Sequence, residues 1–265
     1  MTKENRTLTD FINNRMQRMQ YTFSKEEALE ETNMTNNSFK VAASRLKRGN
    51  KLIRPRGSFY VIVPPQYQRR GAPPANLFID DLMDFLGKTY YVGLLSAAAT
   101  FGAAHQMPQE YQVLVKKQIK NIVIKNLRVV FIQNKHLEEM PVTEINTEYS
   151  QITVSTPEAT AIDLVYYDHR SGYLDNVATV LKDLSEKMSP EELLTATKNY
   201  HNLASVQRLG YILDSIGEKE LCEPIHEWIS TQTPSRVPLS TQETKRDGAR
   251  DRKWEVIVNY ELNPD

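Results

Sequence analysis

The sequence predicts an α+β chain, with an N-terminal winged helix-turn-helix followed by a larger mixed α/β domain. Three observations lead there. Residues 1–70 carry helix start and stop signals in quick succession and then a hairpin pattern; a Pro- and Arg-rich stretch follows; and charge divides across that stretch. The 33 basic and 33 acidic side chains of the 265 residues cancel. Up to Arg70, however, 14 Lys and Arg face 6 acids, leaving 19 against 27 beyond it. A segment of net +8 joined to one of −8 points to a polyanion as partner of the first segment.

The first helix is expected from Thr9 to Gln20, with Phe11, Ile12, Met16 and Met19 at helical spacing. Ser24 with Glu27 forms a capping box that opens a second helix ending near Thr32, because each side chain satisfies an orphan N–H of the first turn. Thr35 caps a third helix running to Arg48, and Gly49 stops it. At 100° per residue, Phe39, Ala42, Ala43 and Leu46 share one side of this helix. Asn37, Val41, Ser44 and Arg48 lie opposite, flanked by Lys40 and Arg45, so one face is built to pack and the other to meet a partner. Leu52–Arg54, a Pro55-Arg56-Gly57 turn and Ser58–Val63 read as a β-wing, since aromatic and β-branched residues favour strands. Pro64-Pro65 cannot continue the ladder, and Arg69 to Pro74 has linker composition, which puts the domains at 1–70 and 75–265.

In the second part, Phe78 to Leu86 reads as a helix, and Val92 to Ala104 as a buried helix rich in small residues. The apolar run from Tyr90 to Ala104 falls short of the roughly 20 residues of a membrane span. Strands are expected at Tyr111–Val115, Ile119–Ile124, Leu127–Gln133 and Ile152–Val154. Thr156 caps a helix with Pro157 at its first position, where the missing N–H costs nothing. Four more helices follow, at 174–187, 190–200, 204–216 and 219–229, then a polar loop over 231–252 and a strand-like run, Trp254 to Tyr260, expected to pair back onto the sheet. A hydrophobic share of 40% excludes a disordered chain. The single cysteine, Cys222, allows no internal disulfide, and with no signal-peptide pattern in the first residues the expectation is a cytoplasmic protein.

The tract Lys40 to Arg56 holds seven basic side chains and no acid in seventeen residues. Placed on a recognition helix and its wing, these cations would release counterions from DNA phosphates. Asn37, Lys40 and Ser44 are expected at base edges with Val41 against a thymine methyl, and Arg45, Arg48, Arg54 and Arg56 on phosphates or in the minor groove. Other constellations read as decoys. Gly57-Ser58 with Asp80-Asp81 has the residue types of a nucleotidyltransferase, but the glycine-serine sits in a hairpin and adjacent aspartates diverge. Glu158 and Asp163 diverge on one helix, with no lysine to complete a nuclease site. The histidines at 105, 136, 169, 201 and 226 show no pair at zinc-ligand spacing. No catalytic, cofactor-binding or metal-ligating residue is assigned.

Three segments in order, Leu52-Ile53-Arg54-Pro55-Arg56-Gly57-Ser58-Phe59-Tyr60, then Tyr90-Tyr91-Val92-Gly93-Leu94-Leu95-Ser96-Ala97-Ala98-Ala99 with Gly102-Ala103-Ala104-His105-Gln106, then Ser155-Thr156-Pro157-Glu158-Ala159-Thr160-Ala161-Ile162-Asp163-Leu164, resemble the AbiEi antitoxins of type IV toxin–antitoxin systems. The middle segment is the most specific. The resemblance implies a bacterial antitoxin and autorepressor tied to abortive infection by phage. Its winged helix would bind inverted repeats of double-stranded operator DNA, and its larger domain would counteract an AbiEii-type nucleotidyltransferase toxin without a stable complex. It implies no membrane and no enzyme activity. A winged-helix regulator with a ligand-sensing C-terminal domain, and a DNA-targeted nuclease, are the alternatives that the residues leave open.

Overall fold

The computed structural model describes residues 7–104, 108–148, 150–243 and 247–264. It begins with α1 (Leu8–Gln17), β1 (Thr22–Ser24), α2 (Lys25–Thr32), α3 (Asn36–Arg48), β2 (Leu52–Arg56) and β3 (Phe59–Ile62). Next come α4 (Ile79–Phe85), β4 (Tyr90–Val92), α5 (Leu94–Thr100), β5 (Tyr111–Val115), β6 (Ile122–Ile124), β7 (Leu127–Gln133), β8 (Val142–Asn146) and β9 (Gln151–Ser155). Helices α6 (Pro157–Tyr166), α7 (Tyr173–Ser185), α8 (Pro190–Asn199), α9 (Leu203–Ser215) and α10 (Lys219–Ser230) precede β10 (Val237–Pro238), β11 (Ala249–Asp251) and β12 (Val256–Val258). Contacts divide the chain into one unit of residues 1–90, 117–132 and 144–153 and another of 91–116, 133–143 and 154–265.

The first unit contains the expected helix-turn-helix. Ser24 and Glu27 make the capping box, the Ser24 N–H donating to the Glu27 carboxylate at 2.5 Å and the Glu27 N–H to the Ser24 hydroxyl at 3.1 Å. Thr7 and Asp10 form a second box on α1. Asn33 turns the chain with a left-handed φ of 54°, and Thr35 accepts the Ser38 N–H at 3.2 Å to start α3. Strands β2 and β3 are antiparallel around Gly57-Ser58, where Gly57 has φ +50°. Strand β1 adds to the free edge of β3, giving the order β1-β3-β2. The sequence reading has Ser24 only as a cap, because a three-residue strand leaves no periodicity to read.

One aromatic chain holds this unit. Phe11 meets Phe23 edge-on at 5.1 Å, Phe23 stacks on Tyr60 at 5.5 Å, and Phe39 of α3 meets Tyr60 edge-on at 5.4 Å. Such pairs add about 0.5–1.5 kcal/mol each beyond their burial. The unit extends past the wing: residues 71–73 are buried, Phe59 packs against Phe85 at 5.3 Å, and the Thr22 hydroxyl donates to Asp81 at 2.5 Å. Strands β6 and β7 form an antiparallel hairpin within it.

In the second unit the strands lie in the order β5-β4-β9, with β4 parallel to β9 and Val92 opposite Val154. Thr156 accepts the Ala159 N–H at 3.3 Å and Pro157 opens α6, as the sequence reading has it. Residues Glu158 to Val165 of α6 are all buried, among α5, α7, α8 and α9.

Two expectations change. Tyr90–Val92 is a strand, and the small-residue helix starts only at Leu94; an apolar run this short does not separate helix from strand by period. Strand β8 falls in a stretch to which the sequence reading assigns no element. The Trp254–Tyr260 run joins a separate three-stranded sheet, parallel to β10 and antiparallel to β11, so the polar stretch before it supplies two strands. Trp254 decides this: its ring lies over Gly210 of α9, where any Cβ would overlap it, and its indole N–H donates to Asp214 at 3.2 Å. Among the described residues no helix is long and apolar enough to cross a membrane.

Candidate functional site

Helix α3 presents two opposite surfaces. Phe39 and Ala43 are buried, and Ala42 and Leu46 half-buried, so the expected apolar stripe is the packed one. Asn37, Lys40, Val41, Ser44, Arg45 and Arg48 are exposed. Val41 is 62% exposed, an apolar side chain that the protein's own packing does not use. Asn37, Ser38, Val41, Ala42 and Arg45 line a shallow depression on this surface. Arg54 is exposed on β2, and among the described residues none of Lys40, Arg45, Arg48 and Arg54 is ion-paired. These four cations are therefore free for an anionic partner.

Arg56 is placed differently. It is half-buried, its guanidinium donates to the Lys120 carbonyl, and its Nε is buried without a partner. This arginine holds the wing to the segment before β6. The remaining cation of the helix-turn-helix with a clear structural duty is Arg15, which donates to the Thr22 carbonyl at 2.7 Å and lies near Glu27 and Glu31.

The second unit holds a cavity of about 250 Å³ lined by Asn134, Lys135, His136, Tyr166, Tyr167, Tyr200 and His201, among others. Tyr200 of this lining bonds Asp163, fully buried on α6. The Tyr91 hydroxyl donates to one of its oxygens at 2.9 Å and the Tyr200 hydroxyl to the other at 3.2 Å. Asn134 in turn donates to the Tyr91 oxygen at 2.9 Å. Burial pushes the Asp163 carboxyl up from 3.8 to about 7, against the two tyrosine hydrogen bonds that favour the ionised form. Burial likewise pushes the Tyr91 and Tyr200 hydroxyls well above their ordinary range, and the Asp163 carboxylate beside them adds to it.

The other constellations separate as the sequence reading expects. Glu158 accepts the Ser189 N–H ahead of α8, far in role from Asp163. Asp80 accepts from the Tyr90 hydroxyl at 2.9 Å while Asp81 takes Thr22. The histidines are another matter. His136 and His201, 65 residues apart in sequence, are brought to a ring separation of 4.2 Å with Glu139 against both. No sequence spacing signals this, because His201 arrives on the α8–α9 connection; only His136 and Glu139, three residues apart, were readable as neighbours. His226 packs edge-on against Trp254, and His105 lies outside the described residues.

The first unit thus carries three helices and a β-hairpin with an exposed basic face on α3, and the second a mixed α/β core with a cavity. Comparison with known proteins bears on the second part of the chain and on the fold. Residues 91–215 match the AbiEi antitoxin C-terminal domain. The match is one of similarity over that stretch, and an antitoxin role is what it supports. The match takes in most of the Tyr90–Ala99 segment and all of Ser155–Leu164, and the wing lies outside it. Within it, Gly93 is where a side chain would press on Leu114 and the Tyr91 ring, and Tyr91 is the residue that reaches Asp163. The crystal structure of the RV2827C protein from Mycobacterium tuberculosis shares the fold, with a TM-score of 0.67 at 15% identity, over 96% of this chain and 93% of that one. No curated protein matches.

Proposed function

We propose that this protein is a cytoplasmic antitoxin that counteracts an AbiEii-type nucleotidyltransferase toxin and represses its own operon through residues 1–70, with residues 75–265 as the antitoxin part. The observation that carries the DNA half is the exposed face of α3, six residues anchored from behind by Phe39 and Ala43. Asn37, Lys40 and Ser44 read base edges and Val41 meets a thymine methyl. Arg45, Arg48 and Arg54 take phosphates, and Arg56 reaches the backbone only on release from the Lys120 carbonyl. The partner is double-stranded DNA with inverted repeats, and toxin opposition does not require a stable complex. No step of this role calls for catalysis.

The test has two arms. Co-expression with the neighbouring nucleotidyltransferase should restore growth. Fluorescence anisotropy on promoter DNA against scrambled DNA, over a salt series, should show preference for the promoter. Failure of rescue sinks the antitoxin assignment; equal binding to both DNAs sinks the repressor assignment. The cavity lined by His136, Tyr200 and His201 favours a second reading, a ligand-sensing regulator, whose mark would be a metabolite that lowers operator affinity.

A further inference from the structure

We propose that His136, Glu139 and His201 form a site for a divalent transition-metal ion of the zinc class, at the rim of the second unit's cavity. One coordination position is left open. The three groups each offer a ligand atom, all within 4.8 Å of one another. His136 Nδ1 lies 3.0 Å from one Glu139 oxygen, and His201 Nε2 contacts the other. Two ligands about 2.0–2.1 Å from a tetrahedral zinc stand about 3.3 Å apart, and the 3.0 Å contact and the overall 4.8 Å span bracket that spacing, so side-chain adjustment within this cluster admits the ion. Two imidazoles with a carboxylate suit zinc, whereas calcium and magnesium require mostly oxygen. Three protein ligands leave the fourth position to water or a small ligand. Because both histidines line the cavity, that position falls beside it.

The ligands are held by the protein. The Glu139 N–H donates to the His136 carbonyl at 3.0 Å, closing a 3₁₀ turn in which residues three apart eclipse, so both side chains leave on one side. The His136 N–H donates to the Asn134 side chain at 2.9 Å, and Asn134 reaches Tyr91 and through it Asp163. On the other loop, Tyr200 bonds the opposite oxygen of Asp163 and so fixes the residue before His201. Both ligand-bearing loops are thus anchored on one buried carboxylate. This assigns work to Asp163, Tyr91 and Tyr200 that packing by itself does not require.

Calorimetric titration of the full, tag-free chain with Zn²⁺ should give one equivalent, and Co²⁺ should give the visible absorption of a tetrahedral site. His136→Ala and His201→Ala should each weaken binding by more than roughly 100-fold, beyond the 10–100-fold that loss of an outer partner costs. Tyr200→Phe, which removes an anchor and no ligand, should fall within that lower range. His169→Ala, an exposed histidine outside the cluster, should bind as the parent does. All three ligand side chains are exposed, so far-ultraviolet circular dichroism should confirm folded variants. Absence of saturable binding would overturn the proposal, as would Zn²⁺ affinity unchanged in His201→Ala; in either case the cluster is a hydrogen-bonded surface pair of histidines about a glutamate.

Discussion

Asp163→Asn should remove a pH dependence of stability that the buried carboxyl imposes. The group is raised from 3.8 to about 7 by burial. Below about pH 4 it is protonated in both folded and unfolded chains, and burial costs nothing extra. Between about pH 4 and 7 the folded chain keeps a proton that the unfolded chain releases, so stability falls as pH rises. Each unit of pKa difference is worth about 1.4 kcal/mol, so a difference of about three units gives a loss of roughly 4 kcal/mol, complete above pH 7. Asparagine preserves the shape and can still bond Tyr91 and Tyr200 if one hydroxyl reverses its donor role, but carries no titrating proton. Urea unfolding of both proteins from pH 4.5 to 8 measures the effect. Stability of Asp163→Asn relative to the parent should rise across that range and level off near pH 7. Parallel curves would refute the reasoning: they would mean that the two tyrosine hydrogen bonds offset burial and keep the carboxylate ionised throughout.

Other outcomes follow from the surfaces and packing. Arg54→Ala should lower the salt slope of DNA binding by about 0.9 if one phosphate contact is lost, measured by anisotropy on promoter and scrambled DNA alike. Arg56→Ala should instead lower thermal stability, since that guanidinium is bonded to the Lys120 carbonyl; a changed salt slope with unchanged melting would reverse the two assignments. Lys40→Ala should cost roughly 1–3 kcal/mol on the promoter sequence and less on scrambled DNA, by competition binding. Gly210→Ala should destabilise by about 1–3 kcal/mol in chemical denaturation, because a methyl there displaces the buried Trp254 ring.

Local chemistry carried most of the secondary structure. Caps at Ser24, Thr35 and Thr156, the stop at Gly49 and the alternation in the wing act within a few residues of themselves, so the sequence alone set the helix-turn-helix, the hairpin and the outward face of α3. The residues of the AbiEi-like segments were legible for the same reason: they are contiguous. Tyr90–Val92 failed as a strand assignment because a short apolar run buried on both faces has no distinguishing period. Tertiary structure decided everything that depends on distant residues meeting. Asp163 looked like an ordinary helical acid until Tyr91, 72 residues earlier, and Tyr200, 37 later, enclosed it. Arg56 read as one more free cation until the Lys120 carbonyl took it, and His136 and His201 read as scattered until two loops brought them to Glu139. Charge and propensity act along the chain and can be read there; desolvation, and the geometry of a polar cluster, exist only once the chain has closed around them.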